Sequence, residues 1–252
     1  MSQPQDQNGD SLRGFGFALA AYLLWGFLPI YMKALAHIPP VEVIAHRVLW
    51  SVPVAGSLLV ALGRTADLTA AIRNPRMLGM AAVTAALISV NWGLYVWAIG
   101  TGQVLETALG YYINPLFSIF LGAVFLRERL RGMQWLAIGL AALAVAILTY
   151  EAGRLPLTAL ALTLSWGLYA FCKRRLPIGP NQGFLLEVLL LSPLALAYVV
   201  WLALTGGGHF LQGSAFDNWI IGGCGLVTAV PLILYANGAK LLRLSTIAIM
   251  QY

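Results

Sequence analysis

Five ionisable side chains lie inside strongly apolar stretches of the sequence: Glu42, His46, Arg47, Glu106 and Glu187. A charge at the centre of a hydrocarbon layer costs about 3 kcal/mol on insertion scales, so such residues are functional candidates by default. Glu42 and His46 are four residues apart and share a helix face, while Arg47 points about 140° away from Glu42 at helical spacing. Arg47 offers a partner to a carboxylate, and His46 is the residue type that changes charge near neutrality. Two readings of Arg47 stand side by side. It faces a cavity and meets a substrate anion, or it forms a structural ion pair with Glu106 at similar depth. Two potential ligands at i and i+4 do not make a metal site, and no third candidate accompanies them, so no metal is expected.

Aromatic residues form the second group. Trp25, Trp92, Tyr95, Trp97, Tyr111, Tyr112, Trp166 and Tyr169 sit inside or at the ends of apolar runs. Aromatic walls suit flat, partly apolar molecules and attract an ammonium through the ring face. Tyr22, Trp135, Trp201 and Trp219 read instead as interfacial belt residues. Asn91 and Asn114 need hydrogen-bond partners in apolar surroundings and so face protein or water, and Asn114-Pro115 would weaken its helix locally. The expected substrate-binding set is Trp25, His46, Arg47, Asn91, Tyr95, Tyr112, Asn114, Trp166 and Tyr235. A bland alternative holds for the Trp-Gly pairs: they seal helix packing, with Gly26, Gly93, Gly110 and Gly167 as close-contact positions.

The elements that must carry these residues are membrane helices. Hydrophobic residues make up 60% of the 252 and charged residues 10%, with a mean hydropathy of +0.81. Soluble domains carry roughly 25% charge, so no aqueous surface can be built from this chain. Nine apolar segments are expected, at 14–35, 42–62, 77–99, 104–126, 132–150, 155–173, 182–204, 217–238 and 244–252. Runs of about 20 residues suit helices rather than barrel strands. The net charge of +6 falls in short clusters between the runs, which excludes a nucleic-acid face. Placing the N-terminus inside puts twelve of the fifteen Lys and Arg on the cytoplasmic side, leaving Lys33, Arg47 and Arg154 outside or embedded. Cys172 and Cys224 form no CxxC pattern and read as packing residues, and residues 1–10 lack the basic start of a signal peptide.

The two halves of the chain echo each other. Trp25-Gly26 recurs as Trp166-Gly167, Tyr95 as Tyr235 and Tyr112 as Tyr252, at offsets near 140, and Glu42 answers to Glu187. A duplicated apolar unit of this kind is a transporter signature. The expected organisation is a disordered tail over 1–12, a first five-helix repeat over 13–151 and a second over 152–252. Five helices is an odd number, so the second repeat enters the membrane inverted. The match leaves 113–150 without a counterpart, so the chain is expected to stop within a ninth helix.

The runs LLWGFLPIYMK, VIAHRVLWS, NWGLYVWA, ETALGYYINPL, FLRERLRGMQWLA and RLSTIAIMQY resemble the RarD branch of the EamA-type drug/metabolite transporters. The resemblance implies an all-α integral membrane protein, a ten-helix bundle of two inverted five-helix repeats around a central cavity. It also implies a transporter of the bacterial cytoplasmic membrane rather than an enzyme. The RarD name is associated with chloramphenicol sensitivity, and related superfamily members export amino acids, aromatic ones among them. The expected function is export of small metabolites, amino acids first, by alternating access with one repeat rocking against the other. Export of drug-like molecules such as chloramphenicol is the alternative, and a membrane enzyme or sensory subunit the rival from another class. No cofactor is expected, no Walker A motif is present, and the partners are the lipid bilayer and a small substrate, with the protein a monomer.

Overall fold

The computed structural model describes residues 10–128, 130, 132–153 and 155–251. Residues 1–9 of the expected tail, Arg129, Arg131, Arg154 and the repeat-matching Tyr252 lie outside the described residues. The described residues fold into ten helices: α1 Leu12–Ala34, α2 Pro40–Ala61, α3 Thr65–Arg73, α4 Pro75–Gly100, α5 Val104–Leu126, α6 Gly132–Ala152, α7 Leu157–Arg175, α8 Pro180–Thr205, α9 Ala215–Leu241 and α10 Leu244–Ile249. Proline at the first position opens α2, α4 and α8, where its fixed φ fits and its missing N–H is not needed. Ser11 caps α1 and Asn74 caps α4 through side-chain oxygens, and Ser214 with Asp217 forms a reciprocal capping box on α9.

Six helices (α1, α2, α4, α5, α8 and α9) are each long and apolar enough to cross a membrane. α7 falls short on composition because Thr158, Thr163 and Ser165 lie along it and Lys173, Arg174 and Arg175 end it. The short α3 was not expected: 62–76 reads as a loop with three arginines. Thr65 to Arg73 nevertheless winds into nine residues with Asp67 in the first turn and Arg73 in the last, complementing the helix dipole. Its Leu68 and Ala71 pack on Ala81 and Leu186, so tertiary burial stabilises a segment too short to be helical alone.

The helices alternate between two ends. At one end Ser11 N–H donates to the Leu241 carbonyl, Gln182 to Asp67, and Arg175 to the Phe125 carbonyl. Arg13, Arg64, Arg73, Arg76, Arg127, Lys173, Arg174, Arg175, Lys240 and Arg243 all sit near this basic end. At the other, His37 pairs with Asp217 at 2.8 Å and His209 with Glu42 at 2.9 Å. That is the histidine end.

Packing is most extensive between α1 and α9, between α2 and both α8 and α9, and between α7 and both α4 and α5, with α10 on α5. The bundle therefore divides into an α1–α2–α8–α9 group and an α4–α5–α7–α10 group, with α6 against α5. Each group takes helices from both halves of the sequence. Gly167 and Gly110 explain the tightness of the second group. A Cβ on Gly167 would lie 2.4 Å from the Phe117 ring, and one on Gly110 3.0 Å from the Ala159 carbonyl oxygen. Gly26 and Gly93, grouped with them from sequence, face open space.

Candidate functional site

Between the two groups lies a cavity of about 480 Å³. Tyr22, Trp25, Gly26, Leu28 and Pro29 of α1, Arg47 of α2 and Leu232 of α9 form one wall. Asn91, Trp92, Tyr95 and Ile99 of α4, Val104, Thr107, Ala108 and Tyr111 of α5, Trp166 of α7 and Gln251 form the other. Ile99 and Val104 flank the α4–α5 turn, so the cavity reaches the histidine end of the second group.

Arg47 is the charged residue of this wall and is 3% exposed. Its Nε donates to Thr228 Oγ1 at 2.9 Å, and its guanidinium lies 4.6 Å from the centre of the Trp92 ring. The ion pair expected between Arg47 and Glu106 does not form. Glu106 is in the first turn of α5, which faces α2 across the cavity instead of packing on it, and Glu106 has an interaction of its own. A hydroxyl and a ring face leave the arginine's charge without a carboxylate among the described residues. Tyr95 and Tyr111 contact each other edge to face at 5.8 Å on the opposite wall. Asn91 donates through Nδ2 to the Leu162 carbonyl at 3.2 Å and to Ser165 Oγ at 3.0 Å, which fixes the side chain and leaves its oxygen available.

The floor is aromatic. Trp25 meets Trp166 at 5.3 Å and Tyr235 at 5.5 Å, Trp166 meets Tyr235 at 5.2 Å and Tyr169 at 5.6 Å, and Tyr22 meets Trp25 at 5.7 Å. Each such pair contributes about 1 kcal/mol beyond its buried area. The cluster joins α1 and α9 to α7, and so ties the two groups together.

Below that floor the basic end is shut. Lys173 of α7 and Glu187 of α8, each 1% exposed, pair at 2.7 Å, with the Tyr169 hydroxyl donating to the same carboxylate at 3.4 Å. Arg174 donates to the Leu242 carbonyl and, at 3.3 Å, to that of Ala239, while Lys240 donates to the Arg174 carbonyl at 3.0 Å. These bonds all cross from one group to the other. The cavity reaches the histidine end, while the bonds between the groups close the basic end.

Of the nine residues expected at the site, Trp25, Arg47, Asn91, Tyr95 and Trp166 line the cavity. Tyr235 stands behind Trp25 and Trp166, and Asn114 lies beneath Gln251, donating to its Oε1 at 3.2 Å. His46 and Tyr112 lie elsewhere. Arg47 takes the cavity face of α2, so His46, one residue earlier, turns onto Phe210, with ring centres 5.1 Å apart. Tyr112 is 71% exposed because its neighbour Tyr111 holds the inward position on α5. Tyr22, read as a belt residue, instead lines the cavity and donates to the Ile247 carbonyl at 2.8 Å. The role of Lys173 was missed because it sits in a run with Arg174 and Arg175. The signal was Glu187, a carboxylate inside an apolar run that needed a cation.

Residues 12–150 match the EamA-like transporter family. Protein RarD of Streptomyces exfoliatus is 40% identical over 252 residues, covering 100% of this chain and 79% of that protein. Protein RarD of Escherichia coli K12 is 38% identical over 240 residues, 95% of this chain and 81% of the relative. The chloramphenicol-sensitive protein RarD of Pseudomonas aeruginosa is 31% identical over 245 residues, again 95% and 81%. A solved crystal structure superposes with a TM-score of 0.67 at 19% identity, over 95% of this chain and 83% of its own. That likeness shows the fold.

Proposed function

Because the chain belongs to the EamA-like transporter family and is a multi-pass membrane protein, we propose that it exports small amphipathic metabolites, amino acids including aromatic ones first, by alternating access. The observation that carries this reading is Arg47, a buried cation on the cavity wall whose partners are a hydroxyl and a ring rather than a carboxylate. A substrate carboxylate would complete it, and a charge-assisted hydrogen bond of that kind contributes about 2 kcal/mol. The faces of Tyr95 and Tyr111 and the Asn91 oxygen would receive an ammonium, and Trp25, Trp92 and Trp166 an apolar side chain.

The positive-inside rule supports placing the basic end in the cytoplasm and the N-terminus inside, in a bacterial inner membrane. The structure then corresponds to an outward-facing state. The sequence echo supports two inverted repeats. Because their helices interleave, the moving bodies are the α1–α2–α8–α9 and α4–α5–α7–α10 groups, and opening inward requires parting Lys173 from Glu187. A second reading, export of neutral drug-like molecules, draws on the largely apolar and aromatic cavity wall and on the chloramphenicol-sensitive relative.

Counterflow in liposomes separates the two. Vesicles are preloaded with single amino acids or with chloramphenicol and scored for uptake of labelled phenylalanine. Acceleration by a subset of amino acids is the expected result. No acceleration by any amino acid, in folded protein, would sink the amino-acid reading and move export of drug-like or other metabolites to first place.

A further inference from the structure

Among the described residues, prolines lie in the interior of five helices: Pro29 in α1, Pro53 in α2, Pro115 in α5, Pro193 in α8 and Pro231 in α9. Each lacks the N–H that would bond the carbonyl four residues earlier, so each leaves that carbonyl in need of another donor. In α8 the repair is local: Ser192 Oγ donates to the freed Leu189 carbonyl at 2.8 Å. In α5 it comes from far along the chain. Gln251 Nε2 donates to the freed Tyr111 carbonyl at 3.0 Å, and Asn114 Nδ2 donates to Gln251 Oε1 at 3.2 Å. A carbonyl can only accept, so the Gln251 nitrogen must face Tyr111, and its oxygen is left for Asn114.

The same amide borders the cavity. Gln251 lines it, as do Val104, Thr107, Ala108 and Tyr111, and these four residues of α5 all precede the break at Pro115. α10 packs on α5 and is clamped at its start by Glu128, just past the end of α5. Glu128 accepts from the backbone N–H of Leu244 at 2.8 Å and of Ser245 at 3.1 Å. Gln251, just past the end of α10, makes the second clamp. α10 therefore reaches from beyond the C-terminus of α5 to the cavity side of Pro115, as a splint lies across a break. On its other side the same half of α5 is held by α7, where Thr163 Oγ1 donates to the Gly110 carbonyl at 2.9 Å. The residue four positions on from Gly110 is Asn114, which has a backbone N–H to give. Thr163 thus adds a bond where Gln251 replaces one.

We propose that Gln251 is a positioning residue of the cavity: its side-chain amide takes the place of the backbone bond that Pro115 removes, and so holds Tyr111 in the wall. Tyr111 meets Tyr95 edge to face at 5.8 Å, and the two rings belong to the wall opposite Arg47. Without the amide, the N-terminal half of α5 keeps its tie to α7 but loses its clamp to the α10 segment, and the Tyr111 ring loses its fixed place. The consequence for a substrate rests on reading the cavity as the transport site, whereas the positioning role itself does not.

Two measurements separate these. Gln251→Met keeps the length of the side chain and removes the amide. Hydrogen–deuterium exchange of the protein in nanodiscs is read in peptides covering 104–113 and 116–126, the two sides of the break in α5. Faster exchange is expected in the first and not in the second. Pro115→Ala returns the missing N–H to the Tyr111 carbonyl, so adding it to Gln251→Met is expected to restore slow exchange. Adding it to Thr163→Val, which loosens the same half from α7, is expected to restore nothing. Unchanged exchange over 104–113 in Gln251→Met, an increase that Pro115→Ala does not relieve, or equal relief of the Thr163→Val variant would overturn the proposal. Phenylalanine counterflow then tests the consequence. KM is expected to rise about fivefold in Gln251→Met, the equivalent of one ordinary hydrogen bond, and to recover when Pro115→Ala is added. A KM equal to that of the wild type would overturn the link to substrate recognition. Altered exchange in a protein without any counterflow would sink the transport reading and leave the positioning role standing.

Discussion

Arg47 and Glu187 occupy the same place in two helices, each seven residues beyond the proline that opens α2 or α8. Both are buried, yet their settings differ in kind. Glu187 is neutralised at 2.7 Å by Lys173 and further bonded by Tyr169. Arg47 has a threonine hydroxyl and the face of Trp92. The first arrangement is complete and closes one end of the bundle. The second is incomplete and borders an open cavity. A buried charge already matched serves as a closure, and a buried charge left unmatched is the place for a ligand.

Breaking the matched pair gives the largest effect. Lys173→Met leaves Glu187 buried without a cation, a loss of about 3–5 kcal/mol, read as a lower melting temperature in detergent. Lys173→Met combined with Glu187→Leu recovers most of that loss, because an apolar pair of similar volume replaces an ion pair at little cost. A double variant as unstable as the single one would show that the pair does more than neutralise charge.

The unmatched charge responds in the opposite way. Arg47→Ala leaves the fold standing, since it orphans no buried carboxylate, but lowers phenylalanine counterflow by about 30-fold, the equivalent of about 2 kcal/mol. A melting temperature that falls as far as in Lys173→Met would erase the contrast and assign Arg47 a structural role.

The smallest effect lies at the margin of the closed end. Burial pulls the Asp10 carboxyl upward, but hydrogen bonds from Thr246 and from the backbone and side chain of Arg243 outweigh it and hold the group below its ordinary range. A lowered value in the fold means that this contribution is complete above the ordinary carboxylate value and fades as pH falls through the lowered one. Asp10→Asn therefore melts slightly below wild type at neutral pH. The gap closes as the pH falls below 3.8, the ordinary value for aspartate.

The sequence made the helical architecture legible because a 60% apolar composition with basic punctuation permits little else. It also pointed to Arg47, Asn91, Tyr95, Trp25 and Trp166, since each is a polar or amphipathic group inside an apolar run. What it withheld was rotation and partnership. One residue of phase decides that Arg47 and not His46, and Tyr111 and not Tyr112, turns to the cavity, and an apolar run without strong periodicity does not fix that phase. The interleaving of helices from both halves is set by packing between distant segments such as α1 with α9, which local pattern does not encode. Lys173 shows the same limit: beside Arg174 and Arg175 it reads as a topology charge, and only its position against α8 makes it the partner of Glu187.

Competition against labelled phenylalanine uptake, using phenylalanine and its carboxamide as rivals, tests the central claim most directly. The two differ only in the carboxylate that Arg47 is held to bind. In wild-type protein the carboxamide is expected to compete about 30-fold more weakly, and in Arg47→Ala the difference is expected to vanish. Equal competition by both molecules in the wild type would contradict the account and make Arg47 a packed cation with no part in recognition.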